Sequence, residues 1–485
     1  MWVAPSPPSP TPSVGELIDA LPLGRFHALL VARQIVLTAC FALSLEITPY
    51  IFQGLELEFG VEQAALATVS TLFALGATIG AGLTSLQDEF GRAPVIRAGA
   101  LTALLFASAS IFMPSFALLL LLRVPLGTGF AFMQLGFGAW FSEFLPKDSR
   151  GPLYVFLTIG YPIGRAVAIL SAWLIETTHW RWMLAEISMA ISLAFVISLF
   201  IPESPRSLLI LGDPPAAYRV LQDLYTFNGT PFPEAAKRAI HWDKAKVRSS
   251  EATPLAGKAK PSLWSILVRI VHRWQSLRHS QPKVLIFALV LFAGIALQQS
   301  LILIWGPHVF QQLLYPGSSP QRDKLPYSVL LGWNFADWGG IAFSSLLIDR
   351  LGRRGFFAVG FLAAAILWSA LAVYTPILHA ICPGADPYVA LVVIGAFAQA
   401  TRGFVPEAGN LWALETFPTT QRATMYAACN VVYHFTSGTA VAVTGTAQSA
   451  SPILLLLGFA GLQILMGIFT LFLPKETSKV AMQDT

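Results

Sequence analysis

The chain has 485 residues, of which 55% are hydrophobic and only 12% charged, against about 25% charged in soluble domains. A water-soluble fold of that composition would lack a polar surface, and apolar runs of about 20 residues, enough to cross hydrocarbon as a helix, recur along almost the whole sequence. The formal charge of +5 is accounted for by loops held against anionic lipid, so the bilayer and not nucleic acid is the expected large partner.

Cys40, Cys382 and Cys429 have no CxxC or CxxH spacing, so neither a disulfide framework nor a metal site is expected. Residues 1–15 lack a basic segment followed by an apolar one, which predicts an unstructured tail and not a signal peptide. Apolar runs then predict six helices near 27–52, 63–86, 94–113, 116–141, 152–176 and 181–201. A polar, basic stretch follows, in which 262–279 has the spacing of an amphipathic helix lying on the membrane, a pattern shared with calmodulin targets. Six more helices are predicted near 283–313, 327–348, 355–379, 388–413, 421–446 and 451–473. The expected organisation is a tail (1–25), a six-helix bundle (26–202), a central loop (203–281), a second bundle (282–473) and a tail (474–485).

Lys and Arg are retained on the cytoplasmic side. They collect before helix 1, in the 2/3, 4/5 and 8/9 connections, in the central loop and in the last residues, whereas the 1/2 connection carries Glu56, Glu58 and Glu62. Both termini are therefore expected in the cytoplasm. The halves also repeat: Trp140, Glu143, Pro146 and Arg150 recur 272 positions later as Trp412, Glu415, Pro418 and Arg422, and LFIPES at 199–204 recurs at the same offset as LFLPKE. Such repetition is the trace of a duplicated six-helix unit.

The loops Asp88 to Arg92 and Asp349 to Arg354 resemble the cytoplasmic signature of the major facilitator superfamily. Glu143 to Gly151, Glu415 to Arg422 and Pro202-Glu203-Ser-Pro-Arg206 resemble its sugar-porter and synaptic-vesicle-protein branch. Leu17 to Phe26, Asn228 to Pro231 and Leu473 to Thr477 lean toward the synaptic-vesicle-like and aromatic-acid symporter relatives. The resemblance implies an all-α membrane protein of twelve transmembrane helices in two pseudo-symmetric bundles, with helices 1, 4, 7 and 10 lining a central cavity. Some positions depart from the pattern. Thr84 and Ser345 replace the loop-flanking glycines, Glu46 stands alone where paired acids are common, and Ser-Leu-Ile follows Gln298-Gln299 where sugar porters place Gly and Asn.

The repeated Asp-Gly-Arg loops suggest a charge-assisted latch at the cytoplasmic gate, built from Asp88, Arg92, Glu143, Arg150, Glu203, Arg206, Asp349, Arg353, Arg354, Glu415 and Arg422. The other reading of the arginines is a topology signal alone. Within the spans, an ionised side chain costs at least about 2.5–3.5 kcal/mol at a helix centre, so each is a candidate. Glu46 is the preferred proton-coupling carboxylate, with Asp337 and His434 as further candidates, against a purely structural role. Arg402 is the candidate anchor for an anionic or polyhydroxy substrate, on a helix interrupted by Pro406 near Glu407. Arg165 either lines the cavity or pairs with Asp337; Arg123 reads as structural. Gln298, Gln299, Trp305, Asn334 and Trp412 offer amides and flat aromatic faces, a mix that serves a ligand or interhelical packing equally.

The expected function is secondary transport by alternating access, proton-coupled, of a small organic acid or aromatic carboxylate. A sugar or polyol is the alternative substrate, and a non-transporting sensor the alternative class. No GxxxxGK[ST] loop is present, so no nucleotide drives it directly. No cofactor and no enzymatic residue set are expected; the chain is expected to act as a monomer in a plasma or organelle membrane.

Overall fold

The computed structural model describes residues 12–175, 179–240, 282–300, 327–381, 388–401, 405–417, 419–446, 452–474 and 477, with positions 268, 272 and 275. All regular structure among them is helical. The helix α1 (Arg25–Glu46) continues through a 3-10 turn at Thr48–Ile51 into a short helix, Phe52–Phe59. It is followed by α2 (Gln63–Leu83), α3 (Arg92–Ile111), α4 (Phe116–Ser142), α5 (Arg150–Phe156 and Gly160–Leu174, joined by a 3-10 turn) and α6 (Trp180–Leu199). The second half begins with α7 (Pro282–Ser300). The element Tyr327–Ile381 is divided by non-helical Gly352 into α8 (327–351) and α9 (353–381). Next come α10 (Tyr388–Ala400 and Val405–Thr416), α11 (Thr419–Thr446) and α12 (Pro452–Thr470).

Among the described residues eight helical stretches are long and apolar enough to cross a membrane, and the longest, Tyr327–Tyr374, holds two spans. Their outer faces present large apolar side chains such as Leu121, Met189, Ile366 and Leu465, exposed as lipid-facing residues must be. The architecture is the twelve-helix major facilitator fold.

The details differ from the sequence expectation at two places, in helix 1 and in the N-terminal segment. Thr48-Pro49 interrupts helix 1 short of its expected end, because proline removes a backbone donor. Helix 7 is described only to Ser300; Trp305 and His308 lie outside the described residues, as does the amphipathic segment 262–279 apart from isolated positions. The N-terminal segment is not all tail: Val14–Ala20 is a helix whose Ser13 and Glu16 form a capping box. That helix packs on Pro214–Asn228, where the Tyr225 hydroxyl donates to the Leu17 carbonyl (2.8 Å) and the Asn228 side chain accepts from the Phe26 amide (2.8 Å).

Candidate functional site

Close packing of α1 and α5 places the first charged group. A Cβ on Gly160 would stand 2.4 Å from the Ile35 carbonyl oxygen, and one on Gly164 2.1 Å from that of Ala39. Only glycine permits this approach, the small-xxx-small rule of membrane helices. Arg165, the next residue, consequently reaches Glu46 of α1, Nε to Oε1 at 3.0 Å. Its Nη1 reaches across to Oδ2 of Asp337 in α8 at 2.7 Å. One turn earlier on both helices, Asn334 of α8 donates from Nδ2 to the Pro162 carbonyl of α5 at 2.7 Å. Thus α5 and α8 are joined across the two halves by a buried ion pair and a hydrogen bond. Arg165, Glu46 and Asp337 are 6%, 6% and 2% exposed, so each charge depends on its partners for the stabilisation that water would otherwise supply.

These three groups line a central cavity with about 1280 Å³ of empty space, the open solvent at its mouth included. The first half contributes Gln34, Thr38 and Phe41 of α1, Gln134 of α4, and Tyr154 and Tyr161 of α5; the second contributes Phe292 and Gln299 of α7, Asn410 of α10, and Tyr426, Asn430, Tyr433 and His434 of α11. Gln134 donates to the Tyr161 hydroxyl at 2.9 Å, so part of the wall is pre-ordered. Apart from His434 and the tyrosines, the ionisable residues of the described lining are Glu46, Arg165 and Asp337. Among the described residues, two carboxylates face this one guanidinium. Helix 10 is an element on the wall through Pro406 and Asn410.

The halves meet on both sides of the cavity. On one side the ring of Tyr327 lies 6.1 Å from Tyr50 and stacks on Trp173 at 6.4 Å and 18°. On the other, the arginine-bearing loops form two matching clusters. Arg92 bonds Asp88 (2.8 Å) and Glu143 (3.1 Å), and Arg353 bonds Asp349 (2.5 Å) and Glu415 (3.0 Å). The loop glycines explain the motif: Gly91 has φ 92° and Gly352 φ 68°, both in the left-handed region. Glu203 accepts from the amides of Arg92 (2.8 Å) and Ala93 (3.0 Å), capping α3 with a negative charge where the helix dipole favours one. Arg354 donates to the Leu473 carbonyl at 2.7 Å, closing the end of α12. These bonds run within each half. Between halves, Gly151 of α5 lies so near Asp349 that a Cβ would stand 2.6 Å from Oδ1. Arg150 is buried there and donates to its own half's Leu145 carbonyl (3.2 Å), and Arg206 is buried on Pro205–Ile210.

The sequence candidates distribute as follows. Glu46, Arg165, Asp337, Gln299 and His434 line the cavity. Asn334 stands behind it, holding α5. Gln298 is fully buried away from the cavity lining, and Trp412 is in the apolar core against Phe287 (6.0 Å), so neither is placed to touch a ligand in the cavity. Both point from their helices toward neighbouring helices, which a sequence cannot reveal when every face is apolar. Arg402 lies outside the described residues, and the side chains of Glu407 and Arg422 are not described. Arg123 is buried in α4, with Nε and Nη2 lacking a hydrogen-bond partner among the described residues. Sequence reasoning missed Gln34, Gln134, Asn410, Asn430, Tyr161 and Tyr433. Their signal was a polar group inside an apolar span, but helix packing uses the same residue types.

A polar, ion-bridged cavity between two six-helix halves defines a multi-pass membrane transporter of the major facilitator type. The family model for "Sugar (and other) transporter" matches residues 36–484, and the chain belongs to that family. It is 23% identical over 488 residues to the synaptic vesicle 2-related protein of Xenopus laevis, covering 99% of this chain and 84% of that one. It is also 23% identical over 377 residues to organic cation/carnitine transporter 7 of Arabidopsis thaliana, covering 71% and 73%. Among solved structures, the proton:xylose symporter XylE bound to 6-bromo-6-deoxy-D-glucose superposes with a TM-score of 0.67 at 16% identity, over 94% of this chain and 97% of that one. The inward-open XylE from E. coli gives 0.64, over 93% and 97%. At that identity the likeness concerns the fold.

Proposed function

We propose that the protein is a proton-coupled transporter for a small neutral, hydroxyl-rich solute, a sugar or polyol, working by alternating access with both termini in the cytoplasm. The observation that carries this reading is the pairing of the cavity's described cation. Arg165 is already held by Glu46 and Asp337, so among the described residues an incoming carboxylate would have to displace an existing ion pair to reach a positive charge. Amides and phenols lining the walls suit hydroxyl groups, and the phenylalanines suit the apolar face of a ring. The cavity carboxylates Glu46 and Asp337 give a proton a place to bind, which fits coupling to a proton gradient. The likeness to XylE, a proton:xylose symporter, and membership of the sugar (and other) transporter family support the same substrate class. The vesicle-protein relatives support a vesicle or other organelle membrane.

A small organic acid or aromatic carboxylate remains the second reading. It is favoured by Arg402, which precedes the cavity-lining Pro406 on the α10 wall by four residues. Competition for uptake into proteoliposomes separates the two. The neutral-solute reading expects inhibition by hexoses and polyols, indifference to benzoate-like acids, and little change with Arg402→Gln. Inhibition by acids that disappears in Arg402→Gln would reverse the order.

A further inference from the structure

The offset that maps Trp140 onto Trp412 also relates α5 to α11. It carries Tyr154 onto Tyr426 and Tyr161 onto Tyr433. All four tyrosines line the central cavity, and a spacing of seven residues keeps each helix's pair on one face. Each half therefore supplies the same two phenols, in two tiers. The tiers differ in burial. Tyr161 and Tyr433 are half-buried in the cavity wall, where Gln134 donates to the Tyr161 hydroxyl at 2.9 Å. Tyr154 and Tyr426 are each 3% exposed and lie nearer the arginine-bearing loops, one and two turns from the starts of their helices.

The hydroxyls of the lower tier converge on α4. A Cβ on Gly138 would stand 3.2 Å from the Tyr154 hydroxyl oxygen and 3.4 Å from that of Tyr426. Phenols from opposite halves thus meet over a residue that has no side chain. The same repeat pairs Gly138 with Asn410 of α10, which also lines the cavity. Phe141, fully buried one turn beyond Gly138, lies 6.1 Å from the Tyr154 ring. One turn below Tyr154, Gly151 abuts Asp349 of the other half. Both tyrosines belong to the buried apolar cluster that runs from Phe141 and Leu157 of the first half to Leu411 and Trp412 of the second.

We infer that Tyr154 and Tyr426 are the inner gate of the cavity: their rings form its floor toward the arginine-bearing face, and a solute leaves on that side only when the halves draw them apart. Because each half contributes one phenol, rocking of the halves separates the pair without disturbing either helix. Gly138 is the seat of the gate. A larger residue there would push the hydroxyls off α4 and hold the floor open. The upper tier, half-buried at the wall, is placed to meet the hydroxyls of the solute. The inference rests on the transport reading above and names the gate of that same cavity; it does not depend on which group carries the proton.

The floor can be probed without any solute. In the full chain with Cys40, Cys382 and Cys429 replaced by serine, Thr158→Cys places a thiol on the cavity wall one turn above Tyr154. Inside-out membrane vesicles present the arginine-bearing face to an impermeant methanethiosulfonate, and the rate of labelling is followed. The gate predicts slow labelling of this starting protein. Tyr154→Ala and Tyr426→Ala each raise the rate by roughly tenfold, the factor that about 1.4 kcal/mol of lost closure represents. Tyr154→Phe and Tyr426→Phe keep the rings and raise it far less, and Gly138→Leu raises it with both tyrosines in place. The same substitution one tier higher, Tyr161→Ala or Tyr433→Ala, does not reproduce the rise, which guards against mere misfolding. Rapid labelling of the starting protein, or lower-tier alanine variants that label no faster than it, would overturn the assignment. Flux separates the two readings. Joining Tyr154→Cys to Tyr426→Cys with a bifunctional methanethiosulfonate should stop uptake of hexoses and polyols, and a thiol reductant should restore it. Uptake that survives the cross-link removes the gate alone, and a gated cavity without flux of any solute removes the transport reading.

Discussion

Arg165 illustrates how a buried charge is tolerated at the residue scale: it spends its donors on two acids and leaves neither acid alone. The arginine-rich face repeats that solution twice, with Arg92 and Arg353 each held by an acid one turn away and another at the C-terminal end of α4 or α10. Removing one member of such a buried set strands the others. Arg92→Ala and Arg353→Ala are each expected to destabilise the protein by about 3–5 kcal/mol. Arg97, which donates to the Ser198 and Ile201 carbonyls, strands no charge when removed, and Arg97→Ala should cost about 1–3 kcal/mol. Thermal unfolding in detergent ranks the three variants; equal losses for all would contradict this account. Glu203→Ala removes the cap on α3 and should cost about 0.5–2 kcal/mol in the same assay.

At the scale of elements, glycine spacing does the positioning. Gly164 lets α5 approach α1, and a methyl group there meets the Ala39 carbonyl, whereas Gly339 in α8 has nothing within 4 Å of a Cβ. Gly164→Ala should therefore lower both the unfolding temperature and uptake, while Gly339→Ala leaves both near the parent; matching behaviour would remove the packing argument. The helical spans were legible in the sequence because an apolar run of sufficient length has few other uses. The loop motif was legible too, since Asp-x-x-Gly-Arg at two matching places leaves a left-handed glycine and an ion pair as its physical content. Helix faces were not. Gln299 lines the cavity and Gln298 does not, yet the two are adjacent in a stretch apolar on every side, so nothing in the sequence separates the lining amide from the buried one. Trp412 fails for the same reason, its repeat partner Trp140 being a core residue as well.

For the whole molecule, the cost of burying charge identified Glu46, Arg165 and Asp337 before any geometry was available, and burial is where all three reside. Their joint arrangement is a different matter. That one cation serves two acids from opposite halves depends on how α1, α5 and α8 come together across residues far apart in the chain. The arrangement also separates two forms of flux. Asp337→Asn should retain exchange of solute across the membrane while losing accumulation against a gradient, because it removes a cavity carboxylate that can carry the coupling proton.

The most direct test of proton-coupled transport through this cavity is uptake of labelled hexoses and polyols by proteoliposomes under an imposed inward proton gradient. The account predicts accumulation above the external concentration that collapses on adding a protonophore and is absent in Asp337→Asn. Uptake indifferent to the gradient, or driven accumulation confined to carboxylic acids, would contradict it.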